Sequence, residues 1–148
     1  MVECTGVSSG PNLSVVCQRC WRPHLELRHM NTRHAGARYE QLAEDYLQRA
    51  GLITLARNFS CRMGEIDRVM TDAGTLVFVE VRYRADPDFV SPLASITPLK
   101  QRRLIRTAQL YLQRNPRFAG HPCRFDAIGI TGSFEDPRFN WIKGAFSA

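Results

Sequence analysis

Two short β-type runs joined by a three-residue link constrain the fold of this chain more than any other feature. The first run, GEIDRVMT, covers residues 64–71, and the second, TLVFVEVRYR, covers residues 75–84. The link DAG at residues 72–74 contains a glycine and is typical of a hairpin, so the two runs should be antiparallel neighbours. Each run carries an acid in its middle, Asp67 in the first and Glu80 in the second. Burying an unpaired carboxylate is costly, so the two acids need an explanation.

Side-chain alternation places Glu80 on a strand face that it shares with a leucine, a phenylalanine and Arg82. If the hairpin register brings Asp67 next to Glu80, two like charges meet at the edge of the core and repel unless a cation or a proton lies between them. Mg²⁺ or Mn²⁺ would resolve this conflict, because hard divalent ions are commonly held by one or two carboxylates plus substrate phosphates. A structural ion-pair network with Arg68, Arg82 or Arg84 is the alternative that the sequence leaves open.

Periodic patterns elsewhere in the chain predict the remaining elements. In chain order, we predict a helix over residues 36–50, strands over 52–59, 64–71 and 75–84, a loop over 85–96, a helix over 98–114, a strand over 123–130 and a short edge strand over 140–142. Thr97 and Pro98 supply an N-cap and a first-turn proline for the second helix. This order predicts a single α/β domain with a mixed β-sheet flanked by helices.

The first part of the chain differs from the rest. Residues 1–34 show no sustained helical or strand period, and we predict a poorly ordered extension ahead of a domain over residues 35–148. Cys17 and Cys20 in this extension form one ligand pair, whereas a closed zinc site needs four ligands, so zinc is not expected there. Because the chain has no apolar run of about 18 residues and no signal-peptide pattern, we expect a cytoplasmic protein without a membrane partner.

Basic side chains gather around the second helix. The chain carries a formal net charge of +6, which favours a polyanionic partner such as nucleic acid. Candidates for phosphate contacts are Lys100, Arg102, Arg103 and Arg106 at the start of the helix, with Arg62 and Arg84 near the acids in sequence. An ordinary solvated basic face is the alternative. No helix-turn-helix or zinc-finger pattern is apparent, so we expect recognition of the backbone or of a branched shape rather than of base sequence.

Several short motifs occur in an order that resembles the YraN-like family. They are GxxxE from Gly36 to Glu40, RNF at residues 57–59, GEID at 64–67, VFVEVRYR at 77–84, Lys100 and RFD at 124–126. The family is similar to Holliday junction resolvases and to PD-(D/E)XK nucleases. The resemblance covers residues 35–146 and implies a restriction-endonuclease-like fold. It also implies a metal-dependent endonuclease acting on DNA, including branched DNA in recombination or repair, and a homodimer.

Position by position, the resemblance implies roles for individual residues. Asp67 and Glu80 are the main ligands of Mg²⁺ or Mn²⁺, the Val81 backbone carbonyl is a third candidate ligand, and Glu40 acts directly or through water. Arg82 stands where the nuclease motif has its catalytic lysine. Arg82 can supply charge and a planar set of donors, but it cannot lose a proton at ordinary pH and so cannot be a general base. This departure leaves a second function open, a non-catalytic nucleic-acid-binding or assembly module that keeps the nuclease fold.

Four further charged residues are assigned structural or surface positions. We predict that Glu44 and Asp45, further along the first helix, lie on its solvated face. Arg124 and Asp126 share one face of the strand over residues 123–130, and their opposite charges favour a structural ion pair over a catalytic role.

Overall fold

A computed structural model of the chain describes residues 32–84 and 96–147. In these residues the elements are α1 (Thr32–Arg49), β1 (Ile53–Cys61), β2 (Gly64–Asp72), β3 (Thr75–Tyr83), α2 (Pro98–Arg114), β4 (Cys123–Gly132) and β5 (Pro137–Phe146). A single turn of 3₁₀ helix at Pro116–Phe118 follows α2. The elements form one α/β domain, which confirms the predicted mixed sheet with helices, while the restriction-endonuclease-like fold stays a prediction.

The five strands form one mixed sheet in the order β1-β2-β3-β4-β5. Neighbouring strands are antiparallel except β3 and β4, which pair in parallel. A parallel pair needs a crossover connection, and α2 lies within the segment that supplies it. β3 is therefore the central strand, with Val77 and Val79 completely buried. Glu80, the next residue along the same strand, is consequently carried into the interior.

The two helices pack on opposite faces of the sheet. Ala43 and Leu47 of α1 pack in a cluster that includes Val79. Leu104 of α2 packs in a second cluster that includes Phe78. Because consecutive side chains of a strand point to opposite faces, β3 contributes to both clusters. Full burial of a leucine, valine or phenylalanine side chain stabilises the fold by about 1.5–3 kcal/mol.

Sequence-based boundaries are confirmed for α2 and need correction at both ends of the domain. α1 begins at Thr32 rather than at Gly36. A glycine weakens a helix by about 1 kcal/mol relative to alanine but does not end it, so the helix continues through Gly36. β5 spans Pro137–Phe146 instead of the short strand over residues 140–142. It is an edge strand whose exposed and half-buried residues do not produce an uninterrupted apolar alternation.

Some predictions lie outside the described residues. These are the extension up to residue 31, with Cys17 and Cys20, and the loop over residues 85–95. Residues 32–34, which the sequence assigned to the extension, belong to α1. In the described part of the chain, neither helix is long and apolar enough to cross a membrane.

Candidate functional site

The β2–β3 hairpin brings Asp67 and Glu80 together. The ladder between the two strands ends at the pair Arg68–Val79. Beyond this pair, the backbone N–H of Val81 donates to Oδ2 of Asp67 at 2.8 Å. The carboxylate therefore takes the place that a backbone acceptor of β2 would otherwise occupy. Because the N–H and C=O groups of one strand residue point to the same neighbouring strand, the Val81 carbonyl also points toward β2, on the side where Asp67 lies.

Both carboxylates lie in the protein interior, and burial changes their acidity. Asp67 is 8% exposed and Glu80 is 3% exposed. Burial raises the pKa of Asp67 to about 7, and repulsion from Glu80 and Glu40 adds to this increase. Burial also raises the pKa of Glu80, although attraction to Lys100 and Arg82 opposes the change. The two acids are thus held close together at an electrostatic cost, which a nearby cation would relieve.

Two cations contact one oxygen of Glu80. Arg82 Nη2 lies 3.0 Å from Oε1, and Lys100 Nζ lies 3.2 Å from the same atom. The other oxygen, Oε2, is buried and has no hydrogen-bond partner among the residues that the structure describes. Of the ion pairs that the sequence left open, the one with Arg82 is present at Oε1, and Lys100 adds a contact that the sequence did not predict. They do not satisfy Oε2.

Glu40 lies on α1 and is held by residues of β1 and β2. Its Oε2 accepts hydrogen bonds from Asn58 Nδ2 at 2.7 Å and from Arg68 Nη1 at 3.0 Å. Arg68 Nη1 also donates to the backbone carbonyl of Asp67 at 2.7 Å. Within the described residues, no three His, Cys, Asp or Glu side chains form a group that could hold a metal ion. The structure thus pairs Asp67 with Glu80 and connects Glu40 to that pair through Arg68, and Glu40 as a metal ligand stays a prediction.

Glu44 is completely buried, and the prediction that it lies on a solvated face was wrong. Its carboxylate accepts hydrogen bonds from Arg57 Nη2 at 2.6 Å, Arg68 Nε at 2.7 Å and Thr54 Oγ1 at 2.9 Å. Burial alone would raise the pKa of Glu44, but these hydrogen bonds outweigh it and lower the pKa to about 2. Glu44 follows Glu40 by one helical turn, so both acids face the β1 and β2 arginines.

The predicted phosphate-binding residues are distributed along α2 and the turn between β1 and β2. Arg102, Arg103 and Arg106 are exposed on α2. A surface groove of about 670 Å³ lies further along the helix and is lined by Cys61, Arg62, Met63, Arg106, Gln109, Leu110, Gln113 and Arg114. None of these lining residues is acidic. We call this surface the arginine groove.

Lys100 is placed at the acid pair by the start of α2. Thr97 caps this helix by accepting a hydrogen bond from the Lys100 backbone N–H at 3.3 Å, and proline occupies the first turn. The β1–β2 turn packs closely against the next turn of the helix. A Cβ atom on Gly64 would lie 3.3 Å from Thr107 Oγ1 and 3.5 Å from Arg103 Cβ. The cap and this close packing fix where the first turns of α2 lie over the sheet.

Three further charged residues, Arg84, Arg124 and Asp126, make contacts at the end of β3 and within the β4–β5 pair. Arg84 follows β3, and its guanidinium donates to the Tyr83 carbonyl at 2.9 Å, so its phosphate contact stays a prediction. The structural ion pair between Arg124 and Asp126 is confirmed, with 3.0 Å between Nε and Oδ1. Asp126 also accepts a hydrogen bond from Trp141 Nε1 at 3.0 Å, which connects β4 to β5.

Comparisons with known proteins agree with the predicted resemblance. The family model described as Uncharacterised protein family UPF0102 matches residues 39–130. The chain belongs to UPF0102, the YraN family. This UPF0102 chain is 50% identical over 113 residues to a UPF0102 protein of Pseudomonas putida strain GB-1, a span of 76% of this chain and 92% of that protein.

Two further relatives match a similar length of the chain. A UPF0102 protein of Nitrosococcus oceani is 49% identical over 114 residues, which are 77% of this chain and 92% of that protein. A UPF0102 protein of Coxiella burnetii strain RSA 331 is 48% identical over 114 residues, with the same two shares of 77% and 92%. The family span, residues 39–130, includes the acid pair, Glu40 and Lys100.

Proposed function

We propose that this YraN-family protein is a divalent-metal-dependent endonuclease that hydrolyses DNA at a PD-(D/E)XK-type site. The observation that carries the proposal is the buried pair Asp67 and Glu80, with Glu80 Oε2 lacking a hydrogen-bond partner in the described part of the chain. A buried polar atom without a partner is destabilising, and a divalent ion would compensate both acids together. Two carboxylates suit Mg²⁺ or Mn²⁺, because Mg²⁺ keeps several waters and takes further oxygens from substrate phosphates.

The acids and their neighbours would have separate roles in metal binding and hydrolysis. Asp67 and Glu80 would hold the ion, and the Val81 carbonyl, which points toward β2 on the side of Asp67, would be a third ligand. Glu40 would hold a water through its free lone pairs while Arg68 fixes its orientation. When bound, the ion would activate a water and stabilise negative charge on the phosphate. In hydrolysis the water oxygen bonds to phosphorus, the bond to one ester oxygen breaks, and that oxygen leaves with a proton from the water.

The basic surface of α2 supports nucleic acid as the substrate. Lys100 at the acid pair and Arg114 in the arginine groove lie on one helix, about 21 Å apart along its axis at 1.5 Å per residue. This length corresponds to about six base pairs of duplex at 3.4 Å each. One DNA duplex could therefore contact the groove and the acids together. Because these contacts would be made to phosphates, we propose recognition of duplex or branched shape, with a symmetric homodimer making paired cuts.

The ion pairs at Glu80 favour a second candidate function. Since Arg82 and Lys100 already bind Oε1, the acids could be structural, and the protein could bind nucleic acid without cutting it. The two candidates differ in metal binding. Only the endonuclease needs Asp67 and Glu80 to take up a divalent ion.

Calorimetry of Mn²⁺ binding tests the proposal. We expect wild type to bind Mn²⁺ in the presence of a non-cleavable four-way DNA junction, and the double variant Asp67→Asn, Glu80→Gln to lose that binding. Glu135→Gln is the matched control, because Glu135 is an exposed acid in the β4–β5 turn. A saturating ion at 100 times its dissociation constant should also stabilise wild type by about 2.7 kcal/mol.

Cleavage assays on linear, flapped and four-way DNA then separate the two candidates. Mn²⁺ binding that requires the acids, together with cleavage of any of these substrates, supports the endonuclease. Equal Mn²⁺ binding by wild type and the double variant, or no binding by either, would overturn the endonuclease in favour of the binding module.

A further inference from the structure

The two cations on Glu80 come from different elements. Arg82 lies two residues along β3 from Glu80, on the same strand face, whereas Lys100 comes from the first turn of α2. Both contact Oε1, at 3.0 and 3.2 Å. Oε2 has no hydrogen-bond partner within the described residues. Glu80 thus binds two cations of the protein through Oε1, and Oε2 remains able to accept a further ligand.

Lys100 has N–H donors without a partner among residues 32–84 and 96–147, and solvent can reach its side chain. An ammonium group has three N–H donors, and Oε1 of Glu80 accounts for one of them. The Lys100 side chain is 30% exposed, although the Glu80 carboxylate beside it is almost fully buried. The start of α2 adds the partial positive charge of a helix N-terminus to the same place. A phosphate arriving from solution would therefore meet Lys100 directly at the acid pair.

The Arg82 side chain is 26% exposed, close to the 30% of Lys100, but part of its donor group is less accessible to a phosphate. Its Nε is buried and has no hydrogen-bond partner among the described residues, so part of its guanidinium is turned into the protein. A guanidinium presents a rigid planar set of donors, whereas an ammonium is a compact charge on a flexible stem. Because Arg82 comes from the same strand face as Glu80, its contact with Oε1 would hold that carboxylate in one orientation.

We propose that Lys100, not Arg82, is the catalytic cation of this site, and that Arg82 is a positioning residue for Glu80. The inference rests on the proposed endonuclease function and deepens it. Lys100 donates a hydrogen bond to a non-bridging oxygen of the scissile phosphate, where negative charge increases as the water oxygen bonds to phosphorus. The lysine keeps its proton throughout, and the leaving oxygen takes a proton from the attacking water.

Three variants test this assignment: Lys100→Gln, Arg82→Gln, and the double variant Lys100→Gln, Arg82→Lys. We expect Lys100→Gln to lower kcat for DNA cleavage with Mn²⁺ by about 100-fold, the typical effect of removing one donor that stabilises a transition state. With Ca²⁺ in place of Mn²⁺ to limit cleavage, its affinity for the DNA should fall by about tenfold, as for the loss of a charged hydrogen bond. Mn²⁺ binding by the free protein should not weaken.

The other two variants distinguish a catalytic from a structural role. Arg82→Gln should change Mn²⁺ affinity, because it releases Glu80, and should leave DNA affinity unchanged when Ca²⁺ is saturating. The double variant returns a lysine to the motif position on β3, and we expect it to recover at least part of the kcat that Lys100→Gln loses. A residue that only supported the fold would show no such recovery.

Each remaining outcome decides the assignment. If Lys100→Gln leaves both kcat and DNA affinity in Ca²⁺ unchanged, Lys100 is only a counter-ion and the proposal is overturned. If wild type never cleaves DNA, the endonuclease fails, and DNA affinity in Ca²⁺ alone decides whether Lys100 contacts phosphate. If Lys100→Gln does not fold, Lys100→Met replaces it, since methionine keeps the apolar stem without the charge; unchanged kcat and unchanged DNA affinity in Ca²⁺ for that variant would overturn the proposal.

Discussion

Arg68 Nε lies 2.7 Å from Oε2 of Glu44, and both side chains are buried, at 3% and 0% exposed. Removing the charge from Glu44 would leave Arg68 in the interior with Glu40 as its remaining carboxylate partner. We therefore expect Glu44→Gln to lower the free energy of unfolding by about 3 kcal/mol, the usual cost of breaking a buried ion pair from one side. Urea denaturation at pH 7 measures this change.

Asp45→Asn is the control for that variant, because Asp45 is the next residue of the same helix and its carboxylate makes an exposed hydrogen bond with Gln41. It should change stability by less than about 0.5 kcal/mol. Equal effects of the two substitutions would show that the buried position of Glu44 carries no special stabilisation.

The stability contributed by Glu44 should depend on pH. Its folded-state pKa of about 2 lies below the ordinary 4.5, so its contribution is fully present above about pH 4.5 and is lost as the pH falls toward 2. The stability difference between wild type and Glu44→Gln should therefore shrink by about 2 kcal/mol between pH 6 and pH 3. Parallel urea titrations of the two proteins across this range check the result, and a constant difference would contradict it.

Gly64 should tolerate substitution poorly. It has φ +153°, and a Cβ atom there would lie 3.3 Å from Thr107 Oγ1. We expect Gly64→Ala to lower the melting temperature, with a cost of about 1–3 kcal/mol for a strained backbone and a crowded contact. Gly36→Ala is the comparison, because Gly36 lies inside α1 with no atom within 4 Å of its added Cβ. That variant should gain up to about 1 kcal/mol in helix propensity.

The arginine groove should show its effect in the salt dependence of DNA binding. If Arg106 contacts one phosphate, Arg106→Gln should reduce the slope of log affinity against log salt by about 0.9 for duplex DNA. The weakening should be the same for unrelated DNA sequences. Arg138→Gln serves as the control, because Arg138 is exposed on β5, the strand at the opposite edge of the sheet from β1. Equal slopes for wild type and Arg106→Gln would remove the groove from the DNA interface.

Local patterns predicted the parts of the fold whose signals lie within one segment. The glycine-containing link predicted the antiparallel hairpin but not its register. Ala73 and Gly74 alone form the turn, and Asp72 pairs with Thr75, a register that brings Asp67 to Glu80 beyond the end of the ladder. The cap at Thr97 and the following proline gave the start of α2. β5 was underestimated because an edge strand is stabilised by its neighbour in the sheet as much as by its own pattern.

Two features of the site depend on contacts that no local pattern contains. Glu44 is buried because Arg57 and Arg68, on two neighbouring strands, both turn toward α1. Lys100 reaches Glu80 only when α2 packs on the sheet, so the sequence predicted Lys100 as a motif residue and phosphate-contact candidate, while the nuclease motif placed Arg82 alone beside Glu80. The sequence shows that Lys100 lies in the first turn of a capped helix, but it does not show that Glu80 is the partner of Lys100.

The parallel pairing of β3 with β4 has a consequence for how the chain folds. The hairpin that carries Asp67 and Glu80 closes a short loop, and such hairpins form in about 1–10 μs. Pairing β3 with β4 must instead await closure of the long segment that contains α2, which is slower. The two acids would then meet while still hydrated and lose their water only when α2 docks. An ion captured by the open hairpin would be enclosed as the protein folds, without having to enter a finished core.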